Sequence, residues 1–216
     1  MAVGSAQVSG IVAGVVARSL AQGSQAVGRS PFLLPTTITG TVSRFVYDLN
    51  GIRRMAIQWT GNGSLVLPAD ATASLVVVGG GGGGGGNGSG WGGAAGNGGF
   101  SERINETLRG GVTHTITVGG GGGAADPTGG TGGSSSFVGS GLSITCTGGT
   151  GSGFNSSGTN GTPGGTQTTS SITGSSVIYC GPTDTTNFGA GGKGFNSPAP
   201  YRSNGGNGVV IVLLNI

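Results

Sequence analysis

From residue 37 onward, hydrophobic positions fall into short runs rich in β-branched and aromatic residues. The first four runs cover residues 37–47, 54–59, 64–68 and 73–78. Turn sequences such as Asn50-Gly51 separate them. Runs of this kind predict β-strands, because β-branched and aromatic side chains pack well on a pleated surface. The pattern therefore predicts a β-strand region over residues 37–78 that leads into the rest of the chain.

After residue 78, glycine tracts alternate with further short apolar runs. Eight consecutive glycines, Gly79 to Gly86, follow the fourth run directly, and Gly119 to Gly123 follow a later one. The chain closes with an uninterrupted apolar run over residues 209–216. Such a run is typical of a strand buried on both faces. The sequence thus predicts a glycine-rich domain over residues 79–216, closed by a C-terminal strand at 209–216.

The composition raises the question whether the glycine tracts are ordered or disordered. Gly and Pro contribute 62 of the 216 residues, a share that favours low-complexity or disordered chains. Only 7% of the residues are charged, however, and disordered chains usually carry many charges. Consecutive glycines suit polyproline-II helices, which when packed side by side can pair backbone N–H groups with neighbouring carbonyls. We therefore predict a mainly β fold: a small β-sandwich-like core with packed polyglycine segments of polyproline-II type, plus an N-terminal arm.

The N-terminal arm, residues 1–36, is predicted to be extended or partly helical and to attach the chain to a partner. Its apolar side chains recur at helical spacing, but Gly4, Gly10, Gly14 and Gly23 interrupt them and weaken a free-standing helix. Pro31 and Pro35 bound an extended connector. The attachment candidates are Val8, Ile11, Val12, Val15 and Arg18.

The sequence of the same arm predicts neither a targeting signal nor a membrane-spanning segment. Its longest apolar run, residues 11–17, is too short to span a bilayer and lacks the basic residues that precede a signal-peptide core. We therefore expect the mature protein to begin near Met1. Residues 1–54 hold five dispersed arginines against one aspartate. This favours docking onto a protein partner over binding nucleic acid.

Residues that carry catalysis are not grouped in any known pattern, so we expect neither an enzyme nor a metal or cofactor site. Residues 187–194 resemble a phosphate loop but lack its first glycine and its final Ser or Thr. His114 has no second histidine nearby and is expected at the surface or a strand edge. Cys146 and Cys180 each end a strand-like run, which leaves open a disulfide or two buried free thiols.

The order of strand and glycine blocks resembles a known family. Val76-Val-Val before Gly79 to Gly86, Ile116-Thr-Val before Gly119 to Gly123, and Gly205-Gly-Asn-Gly-Val-Val-Ile-Val are similar to the glycine-rich domain of tailed-bacteriophage tail proteins. That family includes minor tail proteins and fibre-tip adhesins, some with a polyglycine sandwich. The resemblance covers about residues 55–216. It implies a tail-tip or fibre protein whose glycine tracts support receptor-contacting loops, here residues 101–109, 153–173 and 182–204.

Aromatic and arginine side chains outside the core pattern are the candidates for receptor contact, because they offer large contact areas. They are Trp91, Phe100, Arg103, Arg109, Phe154, Phe188, Phe195, Tyr201 and Arg202. For the aromatic residues, the alternative is that they cover the outer faces of the packed polyglycine segments. For Arg103 and Arg109, the alternative is a solvated ion-pair cluster with Glu102 and Glu106.

The resemblance leads us to expect a virion tail-tip or tail-fibre structural protein that contributes to recognition of a bacterial surface receptor, either a protein or a glycan. Other tail proteins are its expected partners, with a homo-oligomer or an oligomeric fibre as its setting. The expected location is the virion tail, after assembly in the host cytoplasm. The alternative is a structural connector without receptor contact. An ice-binding protein fits less well, since the glycines do not keep a sustained three-residue repeat.

Overall fold

The mainly β prediction is confirmed by a computed structural model, which describes residues 34–86, 92–153, 166–181, 187–194 and 202–216. These residues form twelve strands and no helix. The strands are β1 (Thr37–Thr39), β2 (Val42–Leu49), β3 (Ile52–Trp59), β4 (Gly63–Val66), β5 (Ala71–Val78), β6 (Phe100–Leu108), β7 (Thr113–Thr117), β8 (Ser135–Gly139), β9 (Leu142–Cys146), β10 (Thr168–Ser170), β11 (Val177–Tyr179) and β12 (Val209–Asn215). Residues 1–33 of the predicted arm lie outside the described residues.

The strands pair antiparallel in three sheets. One five-stranded sheet has the order β1-β4-β7-β8-β9, the second has β2-β3-β12-β5-β6, and β10 pairs with β11. β12 lies in the middle of the second sheet, where Val212 pairs with Ile57 on one side and Leu75 on the other. Residues 209–214 are all buried, which confirms the predicted closing strand. Strands from before and after residue 78 therefore share one sheet.

Two apolar clusters hold the sheets together. The larger contains residues of both five-stranded sheets, among them Trp59, Leu75 and Phe137. The smaller lies on the opposite face of the second sheet, where Ile211 meets Tyr179 of the β10–β11 hairpin. Each large apolar side chain that is fully buried contributes about 1.5–3 kcal/mol. The second sheet is consequently covered on both faces, which accounts for the unbroken apolar sequence of β12.

The glycine tract 79–86 continues from β5 and is surrounded by six other segments. In order around the tract these are 95–99, 147–152, 129–133, 119–125, 203–208 and 189–194. The N–H groups of Gly80 and Gly83 donate to Gly133 and Gly130, at N···O distances of 2.9 and 2.8 Å. The hydrogen bonds to one neighbour thus repeat every three residues. The tract donates to three of its neighbours and accepts from the other three.

The six outer segments also bond to one another in a closed ring. Gly99 N–H donates to Thr147, for example, and Ala95 N–H donates to Gly192 at the place where the ring closes. Each outer segment therefore touches the central tract and two ring neighbours. We call these seven segments the glycine bundle. Its internal backbone groups satisfy one another, which removes the cost of burying an unpaired N–H or C=O.

Lack of space, rather than backbone angle, requires glycine in the central tract. None of Gly79 to Gly85 has a φ in the left-handed region. A Cβ on Gly82 would instead overlap the carbonyl oxygen of Thr150, and one on Gly81 that of Ala190. By contrast, a Cβ on Gly120 in the outer ring meets nothing within 4 Å. Glycine is thus obligatory where segments approach each other and dispensable at the outer surface.

The bundle gives the molecule two distinct ends. β5 and β7 both run toward the bundle, so the starts of these strands lie at the opposite end of the β core. Thr36 N–H bonds to the Val66 carbonyl there, and the turn from Leu49 to Ile52 lies at this end too. We call this end the base and the far end of the glycine bundle the tip. Residues 1–33 join the described chain at the base.

Candidate recognition site at the tip of the glycine bundle

Chain segments that are distant in sequence converge at the tip. The turn at residues 125–128 lies beside Gly86, whose N–H donates to the Pro127 carbonyl at 2.8 Å. Arg202 Nη2 lies 3.9 Å from Asp126 Oδ2, and the two side chains are 27% and 50% exposed. An exposed pair of this kind contributes at most about 1 kcal/mol to stability. Both charged groups therefore remain available to a binding partner.

Two serine hydroxyls fix the backbone just beneath these charges. Ser152 is buried and its Oγ accepts a hydrogen bond from Gly85 N–H at 2.8 Å. Ser203 Oγ accepts one from Lys193 N–H at 2.7 Å. Each hydroxyl bonds a backbone group near the end of a glycine segment. The tip is consequently held by the same network that orders the bundle, a suitable support for exposed contact residues.

Asparagine side chains close one outer edge of the bundle. Three N–H groups spaced three residues apart, those of Val118, Gly121 and Ala124, donate to asparagine Oδ1 atoms at 2.8, 2.9 and 2.8 Å. The acceptors are Asn62, Asn207 and Asn204 respectively. At this edge the asparagine amides take the place that a further glycine segment would occupy.

Asn207→Ala is expected to lower the free energy of unfolding by about 1 kcal/mol, because it removes the acceptor of Gly121 N–H. Urea denaturation at neutral pH measures the loss. Asn207→Asp is the matched control, since it keeps an oxygen acceptor at the same place and is expected to retain most of the stability. Equal losses in the two variants would show that the hydrogen bond to Gly121 is not the stabilising contact.

The candidates for receptor contact do not all gather at the tip. Arg202 lies there, but Phe100 and Phe188 pack against the smaller apolar cluster. Their ring centroids lie 5.8 and 6.5 Å from that of Tyr179. These two phenylalanines therefore cover the smaller apolar cluster of the β core.

The segment 101–109 was expected to be a receptor-contacting loop, and this prediction is wrong. Residues 100–108 form the edge strand β6, which pairs with β5 through partners such as Val77↔Ser101. Arg103 lies on this strand, and Arg109 follows its end at the base, since Leu108 pairs with Ala71 at the start of β5. Of its nine strand residues only Leu108 is buried, as expected of an edge strand. Neither arginine lies at the tip.

Other candidates fall outside the described residues. These are Trp91, Phe154, Phe195 and Tyr201 among the contact candidates, and Val8, Ile11, Val12, Val15 and Arg18 among the attachment candidates. Several side chains that shape the tip and its edge, including Asp126 and Ser152, were not predicted from the sequence. The spacing of Asn204 and Asn207, three residues apart, was the one signal that matched the period of the bundle.

His114 is buried in the larger core region, so its expected location at the surface or a strand edge is wrong. Its ring is fully buried and stacks on Phe137 with centroids 5.3 Å apart. Nε2 lies 3.2 Å from the Arg109 carbonyl, which requires this nitrogen to be the donor. The missing side chain of Gly139 makes room for the ring. Within the described part of the chain, no three potential metal ligands come together.

Both cysteines are free and buried, which corresponds to the second of the two alternatives left open by the sequence. Burial raises the pKa of the Cys146 thiol to about 11, although Arg103 opposes the shift. Burial and Cys146 together raise the pKa of Cys180 to about 12. The Cys180 thiol donates to the Gly98 carbonyl at 3.0 Å. Both groups are therefore protonated and poorly reactive near neutral pH.

Stability is expected to fall as the pH rises above 9. The thiols of the unfolded chain ionise near pH 9.0, whereas those of the folded chain keep their protons to about pH 11 and 12. The loss is roughly 1.4 kcal/mol per thiol for each pH unit in the window from 9 to 11. Urea denaturation at a series of pH values measures it. The double variant Cys146→Ala, Cys180→Ala should show a flatter pH dependence, and an unchanged slope would refute the assignment.

The chain matches no known family model, and no curated protein is significantly similar to it. Among the described residues, none forms a helix that is long and apolar enough to cross a membrane.

Proposed function

We propose that this chain is a structural protein of a bacteriophage tail tip or tail fibre and contributes to recognition of the bacterial surface. The observation that carries the proposal is the glycine bundle, in which six hydrogen-bonded segments surround the tract 79–86. The three-residue repeat supports polyproline-II helices as the conformation of these segments. Shared apolar residues support a β-sandwich-like core beneath them. This combination accords with the resemblance to glycine-rich phage tail proteins.

The bundle suits recognition because it presents its tip on an ordered support. Ordering glycine is entropically expensive, at roughly 1–2 kcal/mol or more per residue. A flexible spacer would function without ordering its glycines, so this entropic cost indicates that a rigid support is needed. In the bundle the cost is offset by backbone hydrogen bonds and by burial in the β core. The tip can then vary in sequence while the scaffold remains constant.

The two ends of the molecule suggest how it is oriented on the particle. Residues 1–33 join at the base, and the base also carries exposed apolar side chains such as Leu34, Leu49 and Ile52. Attachment to other tail proteins through residues 1–36 would leave the tip pointing away from the particle. A virion location, phage partners and a protein or glycan receptor all belong to this proposal.

Binding to bacterial cells tests the proposal. Fluorescently labelled full-length protein is applied to a panel of strains, and to receptor-deficient mutants of any strain that binds it. We expect saturable binding to a subset of strains, lost in those mutants. Arg202→Ala combined with Asp126→Ala should weaken binding, whereas Arg109→Ala at the base should not. Binding to no strain, or binding that ignores the receptor, would instead indicate a connector without receptor contact.

A further inference from the structure

Strand β2 (Val42–Leu49) forms an open edge of the second sheet. It pairs with β3, and no other described strand lies along its outer side. Thr60 N–H donates to the Thr41 carbonyl at 3.1 Å, which makes Thr41 and Thr60 a hydrogen-bonded pair just beyond the strands. Because such pairs alternate along an antiparallel ladder, the even-numbered residues of β2 direct their N–H and C=O groups outward. Val42, Arg44, Val46 and Asp48 therefore offer unpaired backbone groups.

This edge is also unusually apolar. Within the described part of the chain, four of the eight exposed large hydrophobic side chains lie on β2 or at the adjoining start of β3. They are Phe45, Val46, Leu49 and Ile52, which are 39, 50, 44 and 45% exposed. Edge strands of monomeric proteins are usually short, charged or covered, because open edges recruit further strands. An eight-residue edge with this composition is therefore a candidate interface.

The charges on β2 are arranged symmetrically. Arg44 and Asp48 are both exposed and lie two residues on either side of Val46. Neither forms an ion pair with another described residue, although Asp48 lies directly opposite Arg53 on β3. We propose that β2 pairs antiparallel with β2 of a second copy of this chain, with Val46 opposite its counterpart. In this register Arg44 of each copy faces Asp48 of the other, which gives two ion pairs on one face.

Other registers lose this complementarity. Centring the pair on Arg44 or on Asp48 places like charges directly opposite, an arrangement that is destabilising. The Val46-centred register also places Phe45 of each copy opposite Tyr47 of the other, a half-buried ring whose hydroxyl donates to the Ile172 carbonyl of its own chain. These are non-hydrogen-bonded positions, where side chains approach most closely, and cross-strand aromatic pairs are favourable. The main-chain groups, the charges and the aromatic residues thus all favour a second copy of this chain as the partner, in the Val46-centred register.

The dimer does not depend on the proposed role in phage attachment. Antiparallel pairing directs the two tips to opposite ends of the dimer, so a self-associated chain presents two tips. It also covers the apolar edge of the free protein. A protein that binds no bacterium can still form this dimer, and a monomer can still bind one. The two proposals therefore fail separately.

Charge reversal tests the interface. Sedimentation velocity of the full-length chain at low salt, over a wide range of concentration, should show a reversible dimer. Arg44→Asp and Asp48→Arg should each weaken it by roughly tenfold or more, because each replaces two opposite-charge pairs by like-charge pairs. An equimolar mixture of the two variants should dimerise again, as should the double variant. Arg103→Asp, on the other edge strand β6, is the control and should leave the equilibrium unchanged.

Three results would overturn the proposal. One is a wild-type chain that stays monomeric at every concentration, as it would if residues 1–33 covered the edge. Another is a dimer that neither charge reversal weakens. The third is a failure of the mixed variants to associate although each is folded by circular dichroism. All four variants are expected to fold, because exposed surface substitutions usually change stability by less than about 0.5 kcal/mol. Asp48→Arg adds a like-charge pair with Arg53 on β3, which costs at most about 1 kcal/mol.

Discussion

Gly82→Ala is expected to lower the free energy of unfolding by at least about 3 kcal/mol or to prevent folding. The added Cβ would overlap the backbone carbonyl of Thr150, and no flexible side chain is present to give way. Gly82 also uses both of its backbone groups, since its N–H donates to Gly96 and its carbonyl accepts from Gly192. Any shift that accommodates the methyl group therefore breaks hydrogen bonds to two neighbouring segments.

Gly120→Ala is the matched control for this substitution. Its Cβ would meet nothing within 4 Å, and the residue lies exposed in the outer ring. We expect no loss of stability, or a gain of about 0.4–1 kcal/mol, because alanine restricts the unfolded chain more than glycine does. Urea denaturation of both variants measures the difference. Similar effects at the two positions would contradict close packing of the central tract.

Val212→Asp should abolish the fold of the core and of the bundle together. Val212 is fully buried in the larger cluster, and β12 joins β3 to β5 at this point. A carboxylate there has no partner, and burying an unpaired charge costs several kcal/mol. Since β5 continues directly into Gly79, the loss of β12 removes the support on which the central tract depends.

Asn215→Asp is the control, because Asn215 is exposed at the end of the same strand. We expect its stability to lie within about 0.5 kcal/mol of the wild type. Circular dichroism and size-exclusion chromatography distinguish folded from unfolded chains. A Val212→Asp protein with an intact bundle would contradict the dependence of the glycine segments on the β core.

The β core could be predicted from the sequence because its signals are local. The run 73–78 and the closing run 209–216 identified β5 and β12, and the unbroken apolar character of the latter indicated burial on both faces. The sequence could not give the pairing of β12 between β3 and β5, since pairing depends on contacts far apart in the chain. Strand β6 was missed because its charged side chains face solvent on an edge, which resembles a polar loop.

The glycine bundle was predictable in kind but not in arrangement. A tract such as Gly79 to Gly86 has no side chains from which its neighbouring segments could be predicted. Only the need to satisfy its backbone hydrogen bonds indicated that glycine segments pack together. His114 was misplaced for a related reason. Its burial depends on Phe137 and on the space left by Gly139, residues that come near it only when β7 and β8 pair. Of the candidate tip, sequence identified Arg202 but not its partner Asp126.

Amide hydrogen exchange across residues 79–85 is the most direct test of the bundle. These N–H groups are buried and almost all donate to backbone carbonyls of neighbouring segments, with Gly85 donating to Ser152 Oγ. We expect them to exchange as slowly as the amides of β12, through opening of the whole fold. Exchange at the rate of an unstructured chain, while β12 stays protected, would contradict the ordered glycine bundle.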